Sequence, residues 1–112
     1  ERPARALSSG EQQRLAVARA WALEPALFFL DEPTASLDPA AAREVEELVR
    51  EVAASGTRVV MTTHDLGLAR RVADAIVFLH RGRVLEQGDA KAVFAAPASA
   101  EARAFLAGEL TW

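Results

Sequence analysis

Side chains that could bind a metal ion or a phosphate follow two strongly apolar segments of the sequence. Asp31 and Glu32 close the run "FFL", Asp38 comes one turn later, and His64 closes the run "TRVVMTT". Burial of apolar groups is favourable, whereas burial of two adjacent carboxylates is costly. We therefore expect the apolar runs to be buried strands and the polar side chains to lie at their exposed ends.

Phosphoryl transfer is a reaction that could use this set of side chains. One carboxylate can hold Mg²⁺, directly or through water, a second can orient the attacking water, and a polar group can contact the terminal phosphate. Asp31 and Glu32 suit the first two roles, because neighbouring positions of a strand point in different directions. The plainer alternative is that an apolar strand simply ends in a polar loop, and that His64 is a capping or surface residue.

The segment "LSSGE" is a second candidate site. Ser8, Ser9 and Gly10 lead into a helix start, where free N–H groups and the helix dipole favour an anion. The same segment can form a capping box, either Ser8 with Glu11 or Ser9 with Gln12, and a capping box needs no phosphate. The carboxylate of Glu11 would also compete with an anion for the positive end of the helix.

The elements that position these groups alternate between helix and strand. The first helix is predicted to run to about Leu23, where Pro25 stops it, and a strand is predicted over 26–30. Because this strand is entirely apolar, we expect it to be buried on both faces, as in a parallel sheet. Asp38 and Pro39 are a favourable N-cap and first residue for the next helix, so capping is an alternative role for Asp38.

The second helix is predicted to end at Ser55 and Gly56. Its apolar residues recur at helical spacing and form one buried stripe: Val45, Leu48, Val49 and Val52. A second strand then leads to His64, and Asp65 caps a third helix. The inward residues predicted for that helix are Leu66, Ala69, Val72 and Ala73.

The last part of the chain contains a predicted hairpin and two short helices. The runs "AIVFLH" and "RVLEQG" flank Arg81 and Gly82 and predict antiparallel strands. Residues 89–94 and 99–106 are predicted to be helical, with a break at Pro97. Strands that alternate with helices predict an α/β fold with a parallel core, in which two parallel strands and the hairpin form a thin sheet.

Composition limits the classes of function. The 112 residues are 51% hydrophobic and 26% charged, which is typical of a packed globular protein. The net charge of −3 gives no general electrostatic reason to expect a nucleic acid or an anionic membrane as partner. The sequence has no cysteine, which excludes disulfides and thiolate metal sites. A membrane-spanning helix needs about eighteen consecutive apolar residues, and no apolar run in the sequence approaches that length.

Taken in order, "LSSGEQQRLAVARAWALEPALFFLDEPTASLD" and "TTHD" resemble the C-terminal half of the nucleotide-binding domain of ATP-binding cassette (ABC) ATPases. The resemblance is clearest over 7–65 and continues through "VFLHRGRVLEQG". "LSSGE" resembles the signature motif, "LFFLDE" the Walker B strand with its catalytic glutamate, "SLD" the D-loop, and His64 the switch histidine. The resemblance implies the α/β fold of a P-loop NTPase, with parallel core strands flanked by helices, a β-hairpin and C-terminal helices.

The resemblance implies that ATP and Mg²⁺ are the ligands of the strand ends. Asp31 would support Mg²⁺, through water. Glu32 would be the general base or the group that orients the attacking water, and His64 would contact the γ-phosphate. These residues would act within the chain's own nucleotide site.

The resemblance also implies a second nucleotide-binding domain as partner, in a head-to-tail dimer that closes around two nucleotides. Ser8, Ser9, Gly10 and Glu11 would bind the ATP held by the partner, and Asp38 would communicate across the interface. Ser9 stands where the family consensus has glycine, and Glu11 where it has glutamine. The loss of glycine could restrict the approach of the backbone to phosphate.

The resemblance covers the domain from the signature motif onward. No G-x-x-x-x-G-K-[S/T] sequence, whose backbone amides and lysine would cradle phosphates, occurs in the 112 residues. We therefore expect 1–112 to be a partial nucleotide-binding domain that lacks the P-loop and the glutamine loop. The chain alone is expected neither to bind ATP tightly nor to hydrolyse it.

The implied function is that of the ATP-binding subunit of an ABC transporter, in which ATP hydrolysis drives solute transport. The hairpin and short tail most resemble bacterial importers of small solutes, such as polar amino acids or oxyanions. Such a subunit would bind transmembrane permease subunits at the cytoplasmic face of the inner or plasma membrane, and no nucleic acid. Two alternatives stay open: an ABC ATPase of DNA repair or chromosome maintenance, and a non-catalytic half-domain that binds a partner.

Overall fold

The computed structural model describes residues 8–108, and the chain forms two compact units, with the boundary in the sequence between His64 and Asp65. The first unit has these elements: α1 Ser9–Ala22, β1 Leu27–Asp31, α2 Pro39–Ala54 and β2 Arg58–Thr62. The second unit has these: α3 Leu66–Val72, β3 Ala75–His80, β4 Arg83–Asp89, α4 Ala90–Ala95 and α5 Ala100–Leu106. Helices that alternate with strands confirm the predicted α/β class. The predictions for 1–7 and 109–112 lie outside the described residues.

Side-chain caps set the starts of both helices of the first unit. The hydroxyl of Ser8 accepts a hydrogen bond from the N–H of Glu11 at 3.1 Å, and the Glu11 carboxylate accepts one from the N–H of Ser8, also at 3.1 Å. Of the two capping boxes that the sequence left open, this is the one that forms. Asp38 likewise accepts from the N–H of Ala41 at 2.8 Å, with Pro39 as the first residue of α2.

β1 and β2 are parallel neighbours, as predicted. Their register runs from Leu27 opposite Arg58 to Asp31 opposite Thr62. The buried core of this unit forms where one face of the strand pair meets the helices. It contains Val17 of α1, Phe28 of β1 and Val52 of α2. The predicted stripe of α2 is confirmed, because Val45, Val49 and Val52 are buried and Leu48 is partly buried.

The prediction that β1 is buried on both faces is wrong. Phe28 is 6% exposed, but Phe29, the next residue, is 70% exposed, and Leu27 is 46% exposed. Val60, which lies opposite Phe29 on β2, is 44% exposed. Successive side chains of a strand point to opposite faces, and the helices of this unit pack on the face that holds Phe28. Within 8–108, the first unit leaves the opposite face uncovered.

The second unit is built on the predicted hairpin. β3 and β4 pair antiparallel from Ala75 opposite Asp89 to His80 opposite Arg83, with a bulge beside Phe78. The described strands therefore form two separate two-stranded sheets, and the prediction of one thin sheet is wrong. The hairpin packs against the two short helices through one cluster of buried residues: Phe78, Val93 and Ala102.

α3 differs in part from its predicted inward face. Asp65 caps it as predicted, accepting from the N–H of Leu68 at 3.0 Å. Leu68 is 1% exposed and Ala69 is buried, whereas Leu66 and Val72 are only half-buried. A helix of seven residues has too few turns for its apolar spacing to define the buried face.

The carboxylate of Glu86 binds the residues just before α5 and so stabilises the start of this helix. Glu86, on β4, accepts hydrogen bonds from the N–H of Ala98 at 2.9 Å, the N–H of Ser99 at 3.0 Å and the hydroxyl of Ser99 at 3.0 Å. These bonds, with the charge of Arg103, stabilise the ionised carboxylate and lower the pKa of Glu86 below its usual 4.5. We call this arrangement of Glu86, Ala98 and Ser99 the Glu86 clasp.

Candidate functional site

The polar groups predicted to do chemistry lie at the carboxyl ends of β1 and β2. Asp31 is the last residue of β1 and lies opposite Thr62, the last residue of β2. Glu32 follows Asp31 directly, and His64 is the second residue after Thr62. Because carboxyl ends of parallel strands meet at one edge of the sheet, the structure brings Asp31, Glu32 and His64 together there. We call this the carboxyl edge.

Glu32 and His64 are in contact at the carboxyl edge. Nε2 of His64 lies 3.4 Å from Oε1 of Glu32. The side chains remain 63% and 34% exposed, respectively, so both can reach a ligand that lies over the edge. Imidazole can donate a hydrogen bond in either charge state, and a carboxylate can accept one from water.

The backbone at Glu32 explains how adjacent acids come to point in different directions. Glu32 has a φ of +46°, in the left-handed region that side chains other than glycine seldom adopt. Its N–H donates to the carbonyl oxygen of Thr62 at 2.9 Å, and its carbonyl accepts from the N–H of Ala35 at 3.1 Å. Pro33, which follows, is fully buried and anchors the turn. The chain therefore leaves the strand at Glu32, while Asp31 keeps its place in the sheet.

The Asp31 carboxylate fits a magnesium ion that is shared with a phosphate ligand. It accepts a hydrogen bond from the hydroxyl of Thr62, which fixes one of its oxygens. Within 8–108 there is no group of three or more acidic, histidine or cysteine side chains that could enclose a metal ion. Mg²⁺ commonly uses one or two carboxylates and takes its other ligands from water and substrate phosphates. The single carboxylate of Asp31 matches a site in which water and substrate phosphates supply the other metal ligands.

Comparisons with known proteins identify relatives of the chain. The histidine transport ATP-binding protein HisP of Pseudomonas aeruginosa is 45% identical over 104 residues, which cover 93% of this chain and 41% of HisP. A protein-family model described as "AAA domain, putative AbiEii toxin, Type IV TA system" matches residues 1–70. The chain belongs to the AAA-domain family, as part of an ABC ATPase domain. It spans about two fifths of the length of HisP.

Solved structures of ABC ATPases share the fold. CbiO1 of Clostridium perfringens, part of the ABC transporter complex cbiONQ, matches with a TM-score of 0.75 and 36% identity, over 85% of this chain and 38% of that one. The ATP-binding cassette MJ0796, a dimer in a post-hydrolysis state bound to ADP and Pi, matches with a TM-score of 0.64 and 35% identity. That match covers 75% of this chain and 36% of MJ0796.

In this part of an ABC ATPase domain, the segment that resembles the signature motif forms the start of α1. Ser8 and Ser9 are exposed, whereas Gly10 is buried. The Glu11 carboxylate turns back to the N–H of Ser8, so it does occupy part of the helix start, as the sequence indicated. The N–H groups of Ser9 and Gly10 precede the first helical hydrogen bond, which runs from the N–H of Gln12 to the carbonyl oxygen of Ser8.

The starts of α1 and α2 lie side by side. A Cβ atom on Gly10 would come within 2.6 Å of the Cβ of Ala41, so only glycine fits at this helix contact. Ala41 is the residue whose N–H binds the Asp38 carboxylate. The structure thus groups the signature segment with Asp38, as a second cluster built on two helix starts.

Two features of these sites were not found by sequence reasoning. The hydroxyl of Thr62 binds Asp31, and the position of Thr62 at the end of β2, two residues before His64, was the available signal. The packing of Gly10 on Ala41 had no signal in the sequence, because the two residues are far apart along the chain.

Proposed function

We propose that the chain is the C-terminal part of the ATP-binding subunit of an ABC transporter, in which ATP hydrolysis drives the movement of a small solute across a membrane. The observation that carries the proposal is the convergence of Asp31, Glu32 and His64 at the carboxyl edge. The transport function in the name of HisP supports it over a role in DNA repair. The "complete subunit" below is the protein of which this chain is the C-terminal part.

The role of Asp31 is to hold Mg²⁺ through water. When bound, Mg²⁺ neutralises negative charge on the β- and γ-phosphates of ATP. The hydrogen bond from Thr62 occupies one oxygen of the Asp31 carboxylate, so the other oxygen would be the one to bind the metal's water. Asp31 is exposed and ends its strand, where ligands of parallel α/β sheets bind.

Glu32 and His64 act on the reacting groups. Glu32 orients the attacking water and accepts its proton, because its carboxylate stands beyond the strand end and keeps accessible lone pairs. His64 donates a hydrogen bond to the γ-phosphate and, from 3.4 Å, helps to place the Glu32 carboxylate. The left-handed backbone at Glu32 keeps this acid separate from the acid that serves the metal.

The second cluster serves a second copy of the domain. Ser8, Ser9 and Gly10 bind the γ-phosphate of ATP held by the partner copy, and Glu11 shapes this helix start through its capping box. Asp38 lies beside these residues. We assign it to the dimer interface, where it would transmit a conformational change from one copy to the other. The dimeric structure of MJ0796 is consistent with such a head-to-tail arrangement.

The 112 residues alone are proposed to be inactive. They hold groups for the metal, the water and the γ-phosphate, but no G-x-x-x-x-G-K-[S/T] sequence to cradle the remaining phosphates. In the complete subunit, the P-loop and the glutamine loop precede this chain. Chain 1–112 is on this account one part of a single nucleotide-binding domain.

The proposed solute is a polar amino acid, moved by permease subunits that bind the ATP-binding subunit at the cytoplasmic face of the membrane. The histidine transport named for HisP supports this choice. Among the helices of 8–108, none combines the length and the apolar character needed to cross a lipid bilayer.

The test is Mg²⁺-dependent ATP hydrolysis by the complete subunit with Asp31→Asn. Asparagine keeps the shape of the side chain but removes the charge that attracts the metal's water shell, so we expect at least about a tenfold loss of activity at limiting Mg²⁺. Asp74→Asn is the matched control, because Asp74 is exposed and lies in the other unit. Equal activity of Asp31→Asn and wild type at every Mg²⁺ concentration would exclude the proposed metal role.

A further inference from the structure

The hydroxyl of Thr62 contacts both acids of the carboxyl edge. It donates a hydrogen bond to Oδ1 of Asp31. It also accepts one from the backbone N–H of Glu32 at 3.3 Å, in addition to the 2.9 Å bond from that N–H to the Thr62 carbonyl. A single side chain thus joins the residue assigned to the metal to the residue assigned to the water.

The sheet register puts Thr62 in this position. Asp31 and Thr62 form the last pair of the β1–β2 ladder, and Glu32 is the first residue beyond it. Glu32 there takes the left-handed conformation, which is costly for a non-glycine residue and persists only where its surroundings hold it. The two bonds from the Glu32 N–H to Thr62 supply part of that restraint.

The bond to Asp31 restrains the side chain that is assigned to Mg²⁺. Asp31 is exposed, so without a partner its carboxylate would sample several rotamers. A carboxylate that is hydrogen-bonded at one oxygen presents the other oxygen in a fixed direction. Partners of this kind typically change metal affinity or activity by about 10–100-fold when they are removed.

We propose that Thr62 is a positioning residue, whose hydroxyl orients the Asp31 carboxylate for the metal and ties it to the turn that presents Glu32. The proposal rests on the proposed function for its link to Mg²⁺ and ATP, but the orientation of Asp31 is a property of this chain alone. Thr62 touches neither the metal nor the phosphate in this account. It acts through Asp31 and Glu32.

Two substitutions separate the hydroxyl from the shape of the side chain. Thr62→Val keeps the β-branched shape and removes the hydroxyl, whereas Thr62→Ser keeps the hydroxyl. Thr57→Val is the matched control, because it removes a threonine hydroxyl that faces Ser55 just before β2. All are made in the complete subunit, and thermal unfolding checks that each variant folds.

The first measurement uses no nucleotide. The three-bond NMR couplings that report χ1 of Asp31 are expected to show one rotamer in wild type, Thr62→Ser and Thr57→Val, and an average over rotamers in Thr62→Val. The second measurement is the affinity for Mn²⁺, used as the probe for Mg²⁺ with ATP present and read by electron paramagnetic resonance. Thr62→Val is expected to lose about tenfold in Mn²⁺ affinity and to lower kcat more than KM for ATP, with Thr62→Ser near wild type.

The outcomes distinguish this proposal from the proposed function. Unchanged Asp31 couplings and Mn²⁺ affinity in Thr62→Val would overturn the positioning role, and so would a Thr62→Ser variant that behaves like Thr62→Val. A wild-type complete subunit that neither binds Mn²⁺ with ATP nor hydrolyses ATP would overturn the proposed function. In that case, averaged couplings in Thr62→Val would still support the orientation of Asp31 by Thr62.

Discussion

Each of the two sheets within 8–108 has a histidine and a glutamate in its strands or just beyond them, but the two sheets use these residues differently. In the parallel pair, both carboxyl ends lie at one edge, so Glu32 and His64 meet in a position open to a ligand. In the antiparallel hairpin, the carboxyl end of β3 leads at once through a tight turn into β4, so His80 is followed by Arg81, Gly82 and the returning strand. Parallel strands bring their carboxyl ends to the same edge of a sheet, whereas the strands of a hairpin do not. Strand direction therefore decides whether the polar residues that follow the strands lie close together.

The two glutamates show the same contrast at the level of hydrogen bonds. Glu86 accepts three bonds from Ala98 and Ser99, and its carboxylate is used to hold the start of α5. Glu32 makes a 3.4 Å contact with His64 and keeps a third of its side-chain surface exposed. A carboxylate whose lone pairs are taken by backbone N–H groups stabilises structure, whereas one that retains accessible lone pairs can act on a substrate.

The largest effect expected from this comparison comes from the two histidines. His64→Ala in the complete subunit should lower the rate of ATP hydrolysis by about 10²-fold or more, because it removes the side chain that we propose donates a hydrogen bond to the γ-phosphate. His80→Ala is the matched control, since His80 ends β3 in the other unit, and should stay within about twofold of wild type. The measurement is the rate of phosphate release. Similar losses in both variants would show that His64 and His80 do not differ in their contribution to hydrolysis.

The next effect tests whether glycine at position 10, at the start of α1, is required for helix packing. Gly10→Ala should destabilise the protein by about 1–3 kcal/mol, because the added Cβ would lie 2.6 Å from the Cβ of Ala41. Denaturant unfolding of Gly10→Ala, Ala41→Gly and the double variant measures the coupling between the two positions. If the two effects simply add, glycine is needed at this position for a reason other than the helix contact.

The smallest effect is the pH dependence of the Glu86 clasp. Because its hydrogen bonds lower the pKa of Glu86 below 4.5 in the folded chain, the clasp is fully formed above about pH 4.5 and is lost as the pH falls through the lowered value. The protection factors of the α5 amides, corrected for the intrinsic slowing of hydrogen exchange in acid, should therefore fall below pH 4.5. Glu86→Gln should remove the part of this response that belongs to the clasp, and Glu51→Gln, in the first unit, should not. An α5 response that is identical in Glu86→Gln and wild type would contradict the assignment.

Local signals in the sequence predicted the starts of the helices and the pairing of strands. A capping serine with a glutamate three residues on, or an aspartate before a proline, determines local hydrogen bonds, so Ser8, Glu11 and Asp38 could be placed without knowledge of the fold. The convergence of Asp31, Glu32 and His64 was also expected, because alternating helices and strands predict a parallel sheet.

Features that depend on what packs against a segment were not predicted. Phe28 and Phe29 are chemically identical, yet one is 6% and the other 70% exposed, and an uninterrupted apolar run carries no mark of which face meets the helices. Gly10 and Ala41 meet only in the folded unit. The Thr62 hydroxyl and the Glu86 clasp likewise depend on register and on contacts between separate elements.

The most direct test of the central claim, that the carboxyl edge hydrolyses ATP, is phosphate release by the complete subunit with Glu32→Gln. Glutamine keeps the size of the side chain but cannot accept the proton of the attacking water, so release should fall by about 10²-fold or more while ATP affinity changes little. Glu51→Gln, an exposed position on α2, should release phosphate as wild type does. Release by Glu32→Gln at the wild-type rate would contradict the account and assign the chemistry to residues elsewhere.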